Sequence, residues 1–564
     1  MPLAKKQVRG LTAAGLVIAT LALRLPFMAK TLFEFDSVAF AVATFRFSLE
    51  QVTPHMPGYI LHVLLGRFFL LFTSDHNQTF VLLSVALSVA SVLLIWRAGA
   101  WLRGERLGII AACLWITTPL FWFYGEVATV YIHEAFFASL LLYLGIRRLR
   151  ESKNEKLLYF IVMTLSLASA ARQSSFLLFL PAVIYLFRAT CWSWRSLITA
   201  GTLFLVVTAT WITILLSESG GLDPYLHMLG GESIYRSQSV LFGNALGEHL
   251  AVIGKVGFYL LVACVPLILV FLFSLVRFKA DVVLLCKDCL QKRSFVFTML
   301  VALPALLFYI LIYFMKAGYL LNILPSVCLI VAVVLDQTAI WFAREKKSKP
   351  KNRMLFTGKL IVQNSIVLVG FMSALNCIWF VVPFPGKDQA ISSDLYSRES
   401  IVGSADVKYA VGKSGFDYLL NKCFAYTSVQ GIRTSDRINA LAIRTIELEK
   451  KNGSVVILDS WWVRFSYYYM PDVLSYNIRS LGGDTLTGIY KQSGYNLTRD
   501  VSREERLPKN ATTLIFIRSD HPDFAELTRQ VHLVPLVQES SLGIYKIADS
   551  IFSLQWKNYR FSND

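Results

Sequence analysis

A chain of 564 residues that is 55% hydrophobic and 16% charged, with a mean hydropathy of +0.54, lacks the polar surface of a soluble protein, where about 25% charged residues is usual. The bilayer is therefore part of its solvent. Residues 383–564 carry 22 Lys+Arg and 20 Asp+Glu, a net of +2, whereas the first 382 carry 33 and 17, a net of +16. The positive excess belongs to the membrane half, which argues against a nucleic-acid partner and suits loops that meet anionic lipid headgroups.

In chain order, MPLAKKQVRGLTAAGLVIATLALRLPFMAK has a basic start and no small-residue cleavage signal, so it reads as an uncleaved first span. Further apolar segments follow at about 79–96, 107–123, 131–146, 157–170, 174–189, 196–216, 251–276, 295–314, 319–340 and 360–382. With the first, that makes eleven spans. Residues 58–73 are apolar but short and read as a helix lying at the interface. Placing Lys5, Lys6 and Arg9 in the cytoplasm puts Arg103 and Arg106, Arg147 and Arg148, Arg188, Lys287 and AREKKSKPKNR on the same side. The C-terminal domain then lies outside an inner or plasma membrane.

The expected organisation is a polytopic α-helical membrane domain over 1–382 and a soluble extracytoplasmic α/β domain over 383–564. In the latter, SVVILDSWW, TTLIFIRSD and SLGIYKIAD read as strands and TSDRINALAIRTIELEKK as a helix. Of eight cysteines only Cys423 is in the tail, which excludes a disulfide framework there. Cys286 and Cys289 form one CxxC without the second pair a structural zinc needs.

The chemistry gathers on the outer side. LFEFDSVAF places Glu34 and Asp36 at the start of a long first loop that also holds His55, Pro57, Gly58 and Tyr59. The next outer turn supplies Glu126, Tyr131, His133 and Glu134; later turns supply Arg172, and Lys316 with Tyr319. Ionisable groups at this depth are costly unless paired or wet, so the set reads as a site opening outward. Bland readings stand beside it: Asp36 as cap of a helix starting at Ser37, Glu126 or Glu134 as an ion-pair partner of Arg172, and Arg172 and Lys316 as snorkelling cations.

These features resemble the GT-C superfamily of polytopic glycosyltransferases, including protein O-mannosyltransferases and aminoarabinose transferases. Glu34-Phe35-Asp36 is similar to the family's modified DxD motif in the first outer loop, PHMPGYILHVLLGRFF to its juxtamembrane helix, and KAGYLLNILPSVCLI to its late span. The second acid departs from the pattern: Glu126 or Glu134 stands where many relatives have Asp. The resemblance implies an inverting transfer of a sugar from a polyprenyl-phosphate donor to an acceptor hydroxyl. In that reading Asp36 is the general base and Glu34 its neighbour, while Arg172, Lys316 and Tyr319 meet the donor phosphate. His55, Glu126, His133 and Glu134 line the substrate. No cofactor is required, although Glu34 and Asp36 suit an oxygen-bound Mg or Mn ion. The partners are the lipid donor, membrane lipids, and a glycan, lipid or protein acceptor. The competing class is a transporter or lipid flippase, which would place ions in mid-span and show repeated halves; a third is a receptor or assembly scaffold.

Overall fold

The computed structural model describes residues 2–234, 240–243, 246–277, 281–282, 291–314, 316–345, 353–382, 427–459, 463–480, 487–498, 501–517, 519, 523–539 and 542–563. Cys286, Cys289 and Cys423 lie outside the described residues. Two compact units divide the chain: Met1–Met28 with Met56–Val382, and Ala29–His55 with Pro383–Asp564. The acidic first loop thus belongs with the C-terminal residues.

The first unit is helical. All eleven apolar segments fall on helices, but among the described residues only six are long and apolar enough to cross a membrane on length and composition. These are Lys6–Phe27, His76–Arg103, Trp194–Glu218, Arg293–Leu311, Leu324–Phe342 and Gln363–Val381. The count of eleven crossings is not confirmed. Its weak points have physical causes. Lys156–Ala171 and Ser174–Ala189 have 16 residues each, about 24 Å of helix against roughly 30 Å of hydrocarbon. The segment 107–123 is split: one helix ends at Thr117, and Pro119 opens the next, Pro119–Tyr124, because proline has no N–H to continue a ladder. Residues 58–73, expected as a short helix at the interface, hold the ten-residue helix Ile60–Phe69.

Close packing marks the helix His76–Arg103 against Glu105–Thr117. A Cβ on Gly108 would stand 2.3 Å from the Trp96 carbonyl oxygen, and one on Gly99 2.8 Å from Gly108 Cα. Only glycine permits this approach of two backbones.

In the second unit the expected α/β domain is present. Its strands are β1 (Val455–Asp459), β2 (Leu474–Ser480), β3 (Thr487–Ser493), β4 (Asn496–Thr498), β5 (Glu504–Arg506), β6 (Thr512–Phe516), β7 (Leu533–Glu539), β8 (Leu542–Ile547), β9 (Ser553–Trp556) and β10 (Tyr559–Ser562). A seven-stranded sheet runs β4-β3-β2-β1-β6-β8-β7, with β1 parallel to β2 and β6; β5, β10 and β9 form a second sheet. β1 is buried along its whole length, as expected of a central strand whose two faces are covered. The helix Val429–Lys450 starts at Ser428, whose hydroxyl accepts the N–H of Gly431. It buries Ile432, Ile438, Ala442 and Ile446, the spacing of one helical face. Asp436 and Asn439 are buried on it too.

Candidate functional site

In the second unit the motif Glu34-Phe35-Asp36 opens the helix Phe35–Ala43. Glu34 is its N-cap: the carboxylate accepts the backbone N–H of Ser37, and Ser37 Oγ accepts the N–H of Glu34 at 3.3 Å. This is a capping box with the acid and hydroxyl exchanged. The helix therefore begins two residues before the Ser37 start that a capping Asp36 would need, and the cap is Glu34. Glu34 is 1% exposed. Asp36 sits in the first helical turn, where the macrodipole favours a carboxylate. Its side chain is 14% exposed, and Oδ1 lies 3.7 Å from His55 Nδ1. The His55 ring packs on Phe40. The two acids are thus held differently: one closes a helix, the other faces an imidazole at a partly open position.

The segment before them is tied to the C-terminal residues. Asp436 Oδ1 accepts the N–H groups of Lys30 and Thr31 and the Thr31 hydroxyl, each at 2.9 Å, and Oδ2 accepts Lys30 N–H at 3.1 Å. Asn439 Nδ2 donates to Thr31 Oγ1 at 3.0 Å and to the Leu32 carbonyl at 3.3 Å. Tyr469 OH accepts Leu32 N–H at 2.8 Å. Burial pushes the Asp436 carboxyl above the usual carboxylate range, and these donors pull against it. Beyond the helix, Arg46 donates to Asn496 Oδ1 at 2.6 Å and Phe45 meets Tyr495 edge-on.

In the first unit a second cluster surrounds Arg172, a buried residue between the helices Lys156–Ala171 and Ser174–Ala189. Its Nη1 lies 3.5 Å from Glu134 Oε1, and its guanidinium carbon is 3.7 Å from the centre of the Tyr319 ring. Glu134 accepts Ser175 Oγ at 3.2 Å. Asn322 donates to Tyr309 OH at 2.8 Å, and Tyr309 stacks on Tyr319. Tyr319 belongs to the turn Ala317–Asn322, which Lys316 caps. Lys316 is half-buried. Gly318 is required beneath this cluster: its N–H donates to Tyr124 OH at 3.0 Å, and a Cβ there would stand 2.3 Å from the Tyr131 ring.

Of the two acids offered for Arg172, Glu134 meets it. Glu126 instead accepts the Trp122 indole N–H at 2.5 Å, and the ring of Trp122 lies under Arg24. His133 holds Val130 O through Nδ1 and meets His62 edge-to-face at 5.0 Å between ring centres. Among the described residues no three His, Cys, Asp or Glu side chains gather to hold a metal ion. Sequence reasoning missed Arg24, Tyr309, Asn322 and the whole Asp436 group. Arg24 had a signal, as a cation inside an apolar run; the others had none.

These helices have the fold of the GT-C membrane glycosyltransferases, and the chain is a polytopic integral membrane protein of that architecture. The crystal structure of ArnT from Cupriavidus metallidurans in the apo state matches with a TM-score of 0.52 at 10% identity, covering 96% of this chain and 98% of that one. The same protein bound to undecaprenyl phosphate matches at 0.51 and 10% identity, over 98% and 99%. Residues 36–196 match the family described as the protein O-mannosyl-transferase TMEM260 N-terminal domain. That segment begins at Asp36 and includes His55, Glu126, His133, Glu134 and Arg172. A search of curated proteins finds no matching relative.

Proposed function

We propose that the protein moves a sugar from a polyprenyl-phosphate donor to an acceptor hydroxyl, with Asp36 as general base. The observation that carries the reading is the division between the two acids: Glu34 is used by its helix, while Asp36 is partly open and faces His55 at 3.7 Å. A fold shared with a protein whose structure holds undecaprenyl phosphate, and a family match named for mannosyl transfer, support the donor class and make mannose the first sugar to test.

In the reaction the acceptor oxygen attacks the anomeric carbon and its proton passes to Asp36. The bond from that carbon to the phosphate oxygen breaks, and the electron pair leaves with the polyprenyl phosphate. One displacement inverts the anomeric centre. A carboxylate in this role contributes about 10²–10⁴ in rate. His55 orients Asp36. For the donor phosphate, Arg172 and Lys316 are the candidate cations, and Arg172 shares its charge with Glu134 beside it. Tyr319 carries the guanidinium on its ring and keeps Arg172 in place. The charge asymmetry of the loops supports transfer on the outer face.

The test is direct. Purified full-length protein is given polyprenyl-phosphate mannose and a lipid or peptide alcohol, and product stereochemistry is read by NMR. An inverted glycoside is expected; a retained one, or no transfer from any polyprenyl-phosphate sugar, overturns the reading.

A further inference from the structure

Lys30, Thr31 and Leu32 form neither strand nor helix, yet their backbone N–H groups all have acceptors. Every one comes from the C-terminal residues: Asp436 takes the N–H groups of Lys30 and Thr31, and Tyr469 takes that of Leu32. Asn439, one helical turn after Asp436, donates its side-chain N–H to the Leu32 carbonyl. Two residues later the chain enters the Glu34 cap. The helix Phe35–Ala43 then packs against Val463–Tyr469, with its side chains from Ser37 to Ala43 buried. At its far end Arg46 and Phe45 meet Asn496 and Tyr495. Both ends of the segment that carries Asp36 are therefore gripped by one domain. Local sequence does not set its course. Buried backbone groups must find partners, and here those partners are side chains some 400 positions away: Lys30 and Asp436 are 406 residues apart.

We propose that the C-terminal α/β domain is a clamp for the acidic segment, and that Asp436, with Asn439 and Tyr469, positions Asp36 for proton transfer. This deepens the transferase reading above and rests on it for its kinetic consequence. A base has to be held within hydrogen-bond reach of the proton it takes, and small misplacements cost about 10²-fold. Asp436 touches no reacting atom; it acts through the backbone it holds.

Two measurements on the full-length protein separate the clamp from the function. The first is hydrogen exchange over residues 29–45 in wild type, Asp436→Ala and Asp436→Asn. Asp436→Ala removes the acceptors of the Lys30 and Thr31 N–H groups, and exchange there is expected to quicken at least tenfold. Asp436→Asn keeps an Oδ1 acceptor for its three donors and is expected to stay within threefold of wild type. Tyr469→Phe, which removes one acceptor, should quicken exchange at Leu32 alone. The second is sugar transfer below the melting temperature. Asp436→Ala should lower kcat at least tenfold with KM for the donor within threefold, and Asp436→Asn should restore it. A merely structural residue would lower the amount of folded enzyme and leave kcat per folded molecule unchanged. Unchanged exchange in Asp436→Ala overturns the clamp whatever the activity. Quickened exchange with unchanged kcat overturns the positioning role. Quickened exchange in a wild-type background that transfers no sugar keeps the clamp and removes the transferase reading instead.

Discussion

Glu34 and Asp36 look alike in the sequence and should behave differently when changed. Replacing Glu34 by Ala removes the acceptor of the Ser37 N–H at a position 1% exposed. Loss of a helix N-cap costs about 0.5–2 kcal/mol, and a buried N–H left without a partner costs about 1–3 kcal/mol. These two overlap, so the expected loss is about 1–3 kcal/mol. Glu34→Gln keeps a carbonyl acceptor in the same place and should lose less than about 1 kcal/mol. For a unit of this size 1 kcal/mol moves the melting temperature by about 2–4 °C. Glu34→Ala should therefore melt several degrees lower and Glu34→Gln within about 3 °C of wild type. Neither should change the pH dependence of transfer per folded molecule. The assay is a thermal melt in detergent alongside single-turnover transfer at a temperature where all variants are folded. A Glu34→Gln protein that melts like wild type yet transfers sugar a hundred times more slowly would refute the structural assignment and make Glu34 part of the chemistry.

Other outcomes follow from the same geometry. Glu134→Gln and Arg172→Gln each leave a buried charge without its partner, at about 3–5 kcal/mol. The double variant should lose clearly less than the sum in thermal melts, and additive losses would show that the 3.5 Å pair is not coupled. Gly318→Ala drives a methyl into the Tyr131 ring and should cost about 1–3 kcal/mol by overpacking; a wild-type melt would contradict the close approach. Asp436 has a pH signature. Its folded carboxyl titrates above the usual range, so the stability it contributes is present below the unfolded pKa and declines as pH rises through the folded one. Asp436→Asn does not titrate, so its melting temperature should gain on wild type as pH rises from the ordinary Asp range of about 3.9 upward. A constant difference over that range would remove the burial argument.

The helices of the bundle were legible because apolar runs are local signals. The strands β1, β6 and β8 announced themselves in the same way, as short runs rich in Val, Ile and Leu. β2, with polar residues such as Ser475 and Asn477 on buried positions, carried no such run. Asp36 and Arg172 stood out because a charge beside an apolar segment is costly. Which acid meets Arg172 was not legible, since Glu126 and Glu134 are equally acidic and only tertiary packing turns one toward Trp122 and the other toward the guanidinium. The Glu34 cap was half-visible: its spacing to Ser37 is right, but the order of acid and hydroxyl is reversed. Nothing near residue 30 predicts Asp436, because the pairing satisfies backbone donors, which every residue has.

The sharpest test of the whole account is single-turnover sugar transfer by purified Asp36→Asn protein, measured beside wild type with a polyprenyl-phosphate sugar. The substitution keeps the shape and removes the proton acceptor, so the rate should fall by about 10²–10⁴ with little change in melting temperature. Turnover close to wild type would contradict the assignment of Asp36 as the base.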